Sequence, residues 1–327
     1  MRVGIIGCGD ISYMHFSALA ELNQNVVAIC DVVPSKCNWA IEHFNLSCNV
    51  YTDYVQMLNN EKLDVIHICT PHYLHAPMII EGLSRNINVL CEKPVAISYQ
   101  QLEDIQKAVD SSKAQLGVCF QNRFNPSVQY VKNRIKGKKV LGGSFNIAWD
   151  RGVDYYTKDA WRGTREQEGG GVMINQAIHG LDIMQWMCGM PDSVFAYTHN
   201  NRLQGIIDVE DTAFGIFKYN DGRNFVVQAT NTASFTFPVY YAFRTEEDTI
   251  ELSEDNLIIN GKSFIVESPT SSGGKVEWGS GHSTLIANYY NCLETNTKFS
   301  VDFSEAKKAI KLILAMYQSF GKEIEIK

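Results

Sequence analysis

The run Asn88-Val89-Leu90-Cys91-Glu92-Lys93-Pro94 ends an apolar, strand-like stretch in an acid, a lysine and a proline. A lysine so placed leaves the carboxyl end of a parallel strand, where ligand crevices lie. Partly desolvated, its ammonium surrenders a proton closer to neutral pH, which suits exchange with an alcohol or ketone. Pro94 confines Lys93 to extended geometry and stops the sheet ladder there. Close to the start, Gly7-x-Gly9-x-x-Ser12 follows another apolar run and opens a helical pattern. Gly7 permits the tight turn and Gly9 lets the backbone approach a pyrophosphate. The helix N-terminus, with Asp10 and Ile11 at its entry, offers N–H groups to that anion. Ser12 stands where a third glycine or alanine is usual. Asp31 ends the second apolar run at the distance expected of an acid that accepts both ribose hydroxyls of an adenosine. It would repel a 2′-phosphate, so NAD is the expected cofactor rather than NADP. The competing role for Asp31 is to cap the Pro34–Ser35 turn.

Further polar residues leave other strand ends. Thr70-Pro71-His72-Tyr73-Leu74-His75 follows a strand, which sets Thr70 and His72 along the dinucleotide; His75 serves either the cofactor or the helix that follows. Gln121-Asn122-Arg123-Phe124 leaves the last strand of the first half, with Gln121 toward the cofactor and Asn122 and Arg123 toward a carboxylate or sugar hydroxyl. Farther on, Asn175, His179 and Asp182 stand at i, i+4 and i+7, one face of a helix expected over Val172–Met187. Asp150-Arg151 and Tyr155-Tyr156 are candidate sugar contacts, against the alternative of ordinary ion pairs and packed aromatics. His282 is expected just before a helix, as an N-terminal cap or a substrate contact, with the structural role favoured.

The elements that carry these residues follow from periodicity. Val3–Ile6, Val26–Cys30, Val65–Cys69, Val89–Cys91 and Leu116–Phe120 are rich in β-branched residues, as buried parallel strands are. Helical patterns alternate with them at Ile11–Leu22, Ser35–Phe44, Tyr54–Asn59, Ala76–Arg85 and Tyr99–Ser111. Such alternation predicts a Rossmann-like, doubly wound parallel sheet over 1–121. From 122 to 327 long alternating strands replace it, at Leu141–Arg151, Val194–Asn200, Ala213–Tyr219, Asn224–Ser234 and Val239–Thr245. Asp221-Gly222 and Asn260-Gly261 are hairpin turns. A loop is expected over 268–283, then helices at Thr284–Glu294 and Ser304–Phe320.

With 327 residues, 45% of them hydrophobic and 20% charged, the chain has room for two cores. A net charge of −7 argues against a nucleic-acid partner. No apolar run approaches a membrane span, and strand residues begin at once, leaving no room for a signal peptide. Nine cysteines without a Cys-x-x-Cys pair suggest buried free thiols in a reducing cytoplasm and no metal site.

Taken together, Gly7-x-Gly9-x-Ile11 with His15 beyond, Thr70-Pro71-x-x-x-His75, Glu92-Lys93-Pro94, and Gly169-Gly170-Gly171 before the helix with His179 and Asp182 resemble the glucose–fructose oxidoreductase / inositol dehydrogenase / MocA family. The resemblance covers nearly the whole chain. It implies an N-terminal Rossmann domain and a C-terminal α/β domain with a largely antiparallel open sheet, one that commonly joins subunits into homodimers or homotetramers. It makes Lys93 the catalytic and cofactor-positioning lysine, beside Glu92, and His179 its partner in proton transfer. It brings Trp161-Arg162 to the nicotinamide side; Tyr156 and Asn175 are expected at the substrate from their own chemistry, Asn175 as a hydrogen-bond partner of a sugar hydroxyl. Where the family commonly has aspartate, this chain has Asn175, which cannot take a proton. The run Asn175-Gln176-Ala177-Ile178-His179 is similar to that of family members oxidising the 3-hydroxyl of N-acetylated nucleotide-hexuronates. The implied activity is hydride transfer between NAD and a secondary hydroxyl of a sugar, cyclitol or sugar derivative. Family members that hydrolyse glycosides by transient oxidation and elimination, or bind dinucleotide as regulators, mark the alternatives.

Overall fold

The β-branched runs of the first half pair as a parallel sheet because helical crossovers cover both of its faces. In the computed structural model, which describes residues 1–253, 256–267 and 280–327, this sheet has six strands. They are β1 (Arg2–Ile6), β2 (Asn25–Cys30), β3 (Asn49–Tyr51), β4 (Val65–Ile68), β5 (Asn88–Cys91) and β6 (Leu116–Val118), in the order β3-β2-β1-β4-β5-β6. Every neighbouring pair is parallel. The chain reverses its winding between β1 and β4, so the turns leaving β1, β4 and β5 open at the switch point where such sheets bind ligands. Those turns carry Gly7, Thr70 and Lys93.

Nine strands form a second sheet: β7 (Val140–Ala148), β8 (Ser193–His199), β9 (Thr212–Lys218), β10 (Asn224–Thr230), β11 (Tyr240–Thr245), β12 (Thr249–Ser253), β13 (Asn256–Ile259), β14 (Lys262–Ile265) and β15 (Ile324–Glu325). Their order is β14-β13-β12-β11-β7-β10-β9-β8-β15, with β7–β10 the parallel pair and the other pairs antiparallel. Burial alternates along β8, β9 and β10: one face is core, and the other exposes Tyr197, Phe214, Ile216 and Val226.

Two compact units result. The first holds 1–96, 100–121 and the described part of 270–306; the second holds 97–99, the described part of 122–269, and 307–327. The helix expected over Val172–Met187 is two, Val172–Asn175 and Ile178–Cys188. At the break the N–H groups of Gln176 and Ala177 both reach the carbonyl of Val172, at 3.1 and 2.8 Å, which interrupts the helical ladder. The loop expected over 268–283 lies outside the described residues as far as 279. A helix begins at Gly281, so His282 sits in its first turn. Among the described residues no helix is long and apolar enough to cross a membrane. All nine cysteines are free thiols.

Candidate functional site

At the end of β1, Gly7 has φ +92°, and a Cβ there would lie 2.6 Å from the carbonyl oxygen of Cys69. Only glycine tolerates both conditions. A Cβ on Gly9 would meet nothing within 4 Å, so the backbone there is open to close approach. No side chain caps the helix Ser12–Glu21, which leaves N–H groups at its start for an anion. Asp31 Oδ2 accepts the Cys8 N–H at 2.8 Å and Oδ1 the Val33 N–H at 2.9 Å, tying the glycine turn to the end of β2. Each carboxylate oxygen retains a further lone pair for a ribose hydroxyl. Asp10 is exposed and Ile11 half-buried beside this turn. These residues fit a dinucleotide.

The Lys93–Pro94 peptide is cis and Lys93 is half-buried. His75 holds this turn: Nδ1 lies 2.7 Å from the Pro94 carbonyl and Nε2 2.8 Å from that of Thr70. It therefore joins the turns after β4 and β5. His72 is buried in the intervening turn, His72–Leu74. Glu92, expected beside the cofactor, turns its carboxylate into the core of the first unit, where Oε1 is 3.0 Å from His15 Nε2 and 3.4 Å from His282 Nε2. Burial alone would push this carboxyl up, but hydrogen bonds from the two histidines outweigh it and hold it well below its usual range. His15 Nδ1 meets His67 Nδ1 at 2.8 Å, and His67 Nε2 meets the Tyr290 hydroxyl at 3.0 Å. Burial, with His15 alongside, holds His67 well below the usual imidazole range. Neutral rings satisfy the whole chain of bonds when Tyr290 donates to His67, His67 to His15 and His15 to Glu92. His15, Glu92 and Cys119 bring metal-ligand atoms within 4.8 Å, but both ring nitrogens of His15 are already spent. Nothing in the sequence marked this network.

Gln121 Oε1 and Asn122 Oδ1 are buried without a hydrogen-bond partner among the described residues. An unmet buried acceptor costs about 1–3 kcal/mol, which a bound ligand's donor would relieve. Arg123, expected at a substrate, forms a two-pronged pair with Asp182, at 2.7 Å for each prong. Its guanidinium also lies 5.1 Å from the Trp186 ring centroid. Both charged groups are buried, so the arginine neutralises the acid that the sequence set beside His179.

Asn175 and His179 are half-buried, the first closing the short helix and the second opening the long one. Asn175 Nδ2 donates to Glu168 Oε1 and, at 3.2 Å, to the Tyr155 hydroxyl. That hydroxyl also accepts Arg162 Nη1 at 2.7 Å and Gln176 Nε2 at 3.1 Å. Arg162 lies over the rings of Tyr155 and Trp161, at 4.7 and 4.6 Å. Tyr156 turns inward, where it packs on Leu203, Ile207 and Val209 and its hydroxyl accepts Asn231 Nδ2 at 2.7 Å. Glu168, an acid that sequence reasoning passed over, is wholly buried. Burial pushes its carboxyl up to about 7, with Glu210 adding repulsion against hydrogen bonds from Gly163 and Asn175. Gly169-Gly170-Gly171 is glycine for want of space: a Cβ on Gly171 would fall on the Glu210 backbone, and one on Gly170 on the Tyr317 hydroxyl. An acid directly before such a triplet is the signal that could have marked Glu168.

Residues 1–120 match the Gfo/Idh/MocA oxidoreductase family, NAD-binding Rossmann fold, and residues 131–251 its C-terminal domain. A curated relative, 2,7-anhydro-N-acetylneuraminate hydratase of Mediterraneibacter gnavus, is 30% identical over 207 residues, covering 60% of this chain and 52% of that protein. Inositol 2-dehydrogenase of Salmonella typhimurium is 21% identical over 255 residues, 77% of this chain and 74% of the relative. Among solved structures, the WlbA dehydrogenase of Bordetella pertussis with NADH and UDP-GlcNAcA is 26% identical, with a TM-score of 0.86 over 100% of this chain and 98% of that one.

Proposed function

This chain belongs to the Gfo/Idh/MocA oxidoreductase family, and we propose that it is an NAD-dependent dehydrogenase of a secondary hydroxyl on a sugar, cyclitol or sugar derivative, nucleotide sugars included. The observation that carries this reading is the Lys93 turn, fastened by His75 to the turn after β4 in the unit whose glycine turn and Asp31 suit NAD. When bound, NAD supplies the hydride acceptor. Gly7, Gly9 and the start of the helix Ser12–Glu21 hold its pyrophosphate, and Asp31 its adenosine ribose. In the oxidative direction Lys93 Nζ takes the hydroxyl proton and His179 shares that proton transfer, while Asn175 hydrogen-bonds a sugar hydroxyl. Gln121 and Asn122, with unmet acceptors, receive ligand hydrogens. Arg123 supports the helix of His179 through Asp182 rather than touching substrate.

The test is a screen of sugars, inositols and nucleotide sugars for NADH absorbance, UDP-GlcNAcA and myo-inositol among them, followed by Lys93→Ala. A positioned base contributes about 100-fold or more, so kcat should fall by at least that factor while NAD still binds. Near-normal kcat in both Lys93→Ala and His179→Ala would remove the pair from the mechanism. The 30% identity to a hydratase favours one second reading, in which oxidation is transient and NAD is regenerated in the same turnover. Product formation without net NADH, with NAD retained on the protein, would select it. The exposed face carrying Tyr197, Phe214, Ile216 and Val226 suits a homodimer or homotetramer contact. Nine free thiols suit a reducing cytoplasm.

A further inference from the structure

Cys8 stands between Gly7 and Gly9 in the turn assigned to the pyrophosphate, and its side chain is buried. Its Sγ lies 3.9 Å from that of Cys37, which is also buried, 29 residues away in the helix Pro34–Phe44. The described residues include all nine cysteines, and this is the one pair whose sulfurs meet. Asp31 spans the same two elements: one carboxylate oxygen takes the Cys8 N–H, the other the Val33 N–H just ahead of the helix. A bond between the two sulfurs therefore joins the glycine turn to the helix beside the acid assigned to the adenosine ribose.

The two thiols are not equivalent. The Cys8 S–H donates to Cys37 and holds that thiol below its usual range, against burial and the Asp31 charge, which push it up. The same bond and burial push Cys8 up, with Cys37, Asp31 and Cys69 adding repulsion. Cys30 and Cys48, which feel the charge of Cys37, are pushed up by burial to about 12 and about 11. The thiolate is the form that attacks an oxidant, so Cys37 reacts first and Cys8 is the thiol in reach of it. No side chain caps the helix Pro34–Phe44, and Val32 and Val33 at its entry are 81% and 42% exposed. Such a helix start opens locally without disturbing the sheet, and that opening admits a small oxidant.

We propose that Cys8 and Cys37 are a redox pair, joined by a peroxide into a reversible disulfide that weakens NAD binding at the glycine turn. The coupling to NAD rests on the dehydrogenase reading; the pairing does not. The Cys37 sulfur takes one oxygen of the peroxide, the O–O bond breaks, and the other oxygen leaves as water. The Cys8 sulfur then displaces the sulfenic oxygen as a second water, and the S–S bond forms. The two thiol protons end in the two waters; the sulfurs lose two electrons and the peroxide gains them. A thiol such as glutathione reverses the bond by exchange, as a transient disulfide in a reducing compartment requires. Closing the contact to a bond draws the glycine turn and the helix start together, with Asp31 fastened to both. Displacing one hydrogen bond that they offer the dinucleotide weakens NAD about tenfold. By linkage, bound NAD opposes formation of the disulfide by the same factor.

The experiment treats the full chain with excess hydrogen peroxide, blocks the remaining thiols by alkylation and maps the tryptic peptides by mass spectrometry. Peptide 3–36, which carries Cys8 and Cys30, should be linked to peptide 37–62, which carries Cys37 and Cys48. Fragmentation should place the bond at Cys8 and Cys37, and dithiothreitol should remove it. Calorimetry with NAD should give a Kd about tenfold higher for the disulfide form than for the reduced chain. Cys37→Ser, and Cys37→Ala should that variant fold poorly, should bind NAD as the reduced parent does, before and after peroxide. Cys8 and Cys37 still free after excess peroxide, or a bond to Cys30 or Cys48 instead, overturn the pairing. A disulfide form that binds NAD as tightly as the reduced chain overturns the coupling, as does a peroxide-induced loss of NAD binding in Cys37→Ser. If the reduced chain binds no NAD, the dehydrogenase reading fails and the coupling falls with it, while the linked peptides still decide the pairing.

Discussion

Replacing Asp182 with asparagine removes one charge from the Arg123–Asp182 pair and leaves the other stranded. Arg123 is 3% exposed and Asp182 1%, so neither charge has water to fall back on. The two prongs at 2.7 Å are the compensation for that desolvation. Breaking a buried pair from one side costs about 3–5 kcal/mol, and the asparagine oxygen still accepts one prong, which places Asp182→Asn near the lower figure. Against a total stability of about 5–15 kcal/mol that is a large share, and it lowers Tm by about 6–12 °C for a unit of this size. Urea unfolding followed by tryptophan fluorescence suits the measurement, because Trp186 stacks on the Arg123 guanidinium at 5.1 Å. The companion variant, Arg123→Met with Asp182→Leu, removes both charges and should recover to within about 2 kcal/mol of the parent. The residual loss is the acceptor of Gln185 Nε2, which lies 3.3 Å from Asp182. An Asp182→Asn protein within about 1 kcal/mol of the parent, or a double variant as unstable as the single one, would refute the reasoning. The double variant also tests function. Unchanged KM agrees with a supporting arginine, whereas a folded protein with a large rise in KM would return Arg123 to the substrate.

Asp31→Ser should narrow a preference for NAD over NADP that is about tenfold or more in the parent, because one charge clash with a 2′-phosphate exceeds about 1.4 kcal/mol. Steady-state kinetics with both cofactors check it, and equal use of NADP by the parent would remove Asp31 from its role. Glu92 has its carboxyl held below the ordinary value of 4.5, so its contribution to stability is complete above that pH and is lost as pH falls through the folded value. Glu92→Gln should therefore lower the urea midpoint at pH 7, and the gap to the parent should close in acid; a gap independent of pH would contradict this. Phe214→Glu, at a residue 48% exposed on the open sheet face, should turn a dimer or tetramer into monomers in light scattering. A parent that is already monomeric at micromolar concentration would show that this face joins nothing.

The parallel sheet was legible because its strands are continuous β-branched runs, a pattern imposed by burial on both faces. β3 was not, since its three residues are half-buried or exposed and leave no apolar run. Gly7 was legible because its backbone conformation excludes other residues, and Lys93 because Pro94 marks its turn. The break at Gln176 and Ala177 escaped because the apolar periodicity runs straight through it; the interruption lies in the hydrogen bonds to the Val172 carbonyl. Motif spacing set His179 and Asp182 on one helix, yet what Asp182 does depends on Arg123, 59 residues away. The same holds for Glu92, whose motif stands beside a lysine while its carboxylate answers to His15 and His282. Residue types at short spacing thus disclosed the fold class, the tight turn at Gly7 and the turn at Lys93, since backbone geometry and local chemistry restrict those positions directly. Only the tertiary structure assigned partners to the buried charges, because desolvation makes each of them depend on groups remote in the chain.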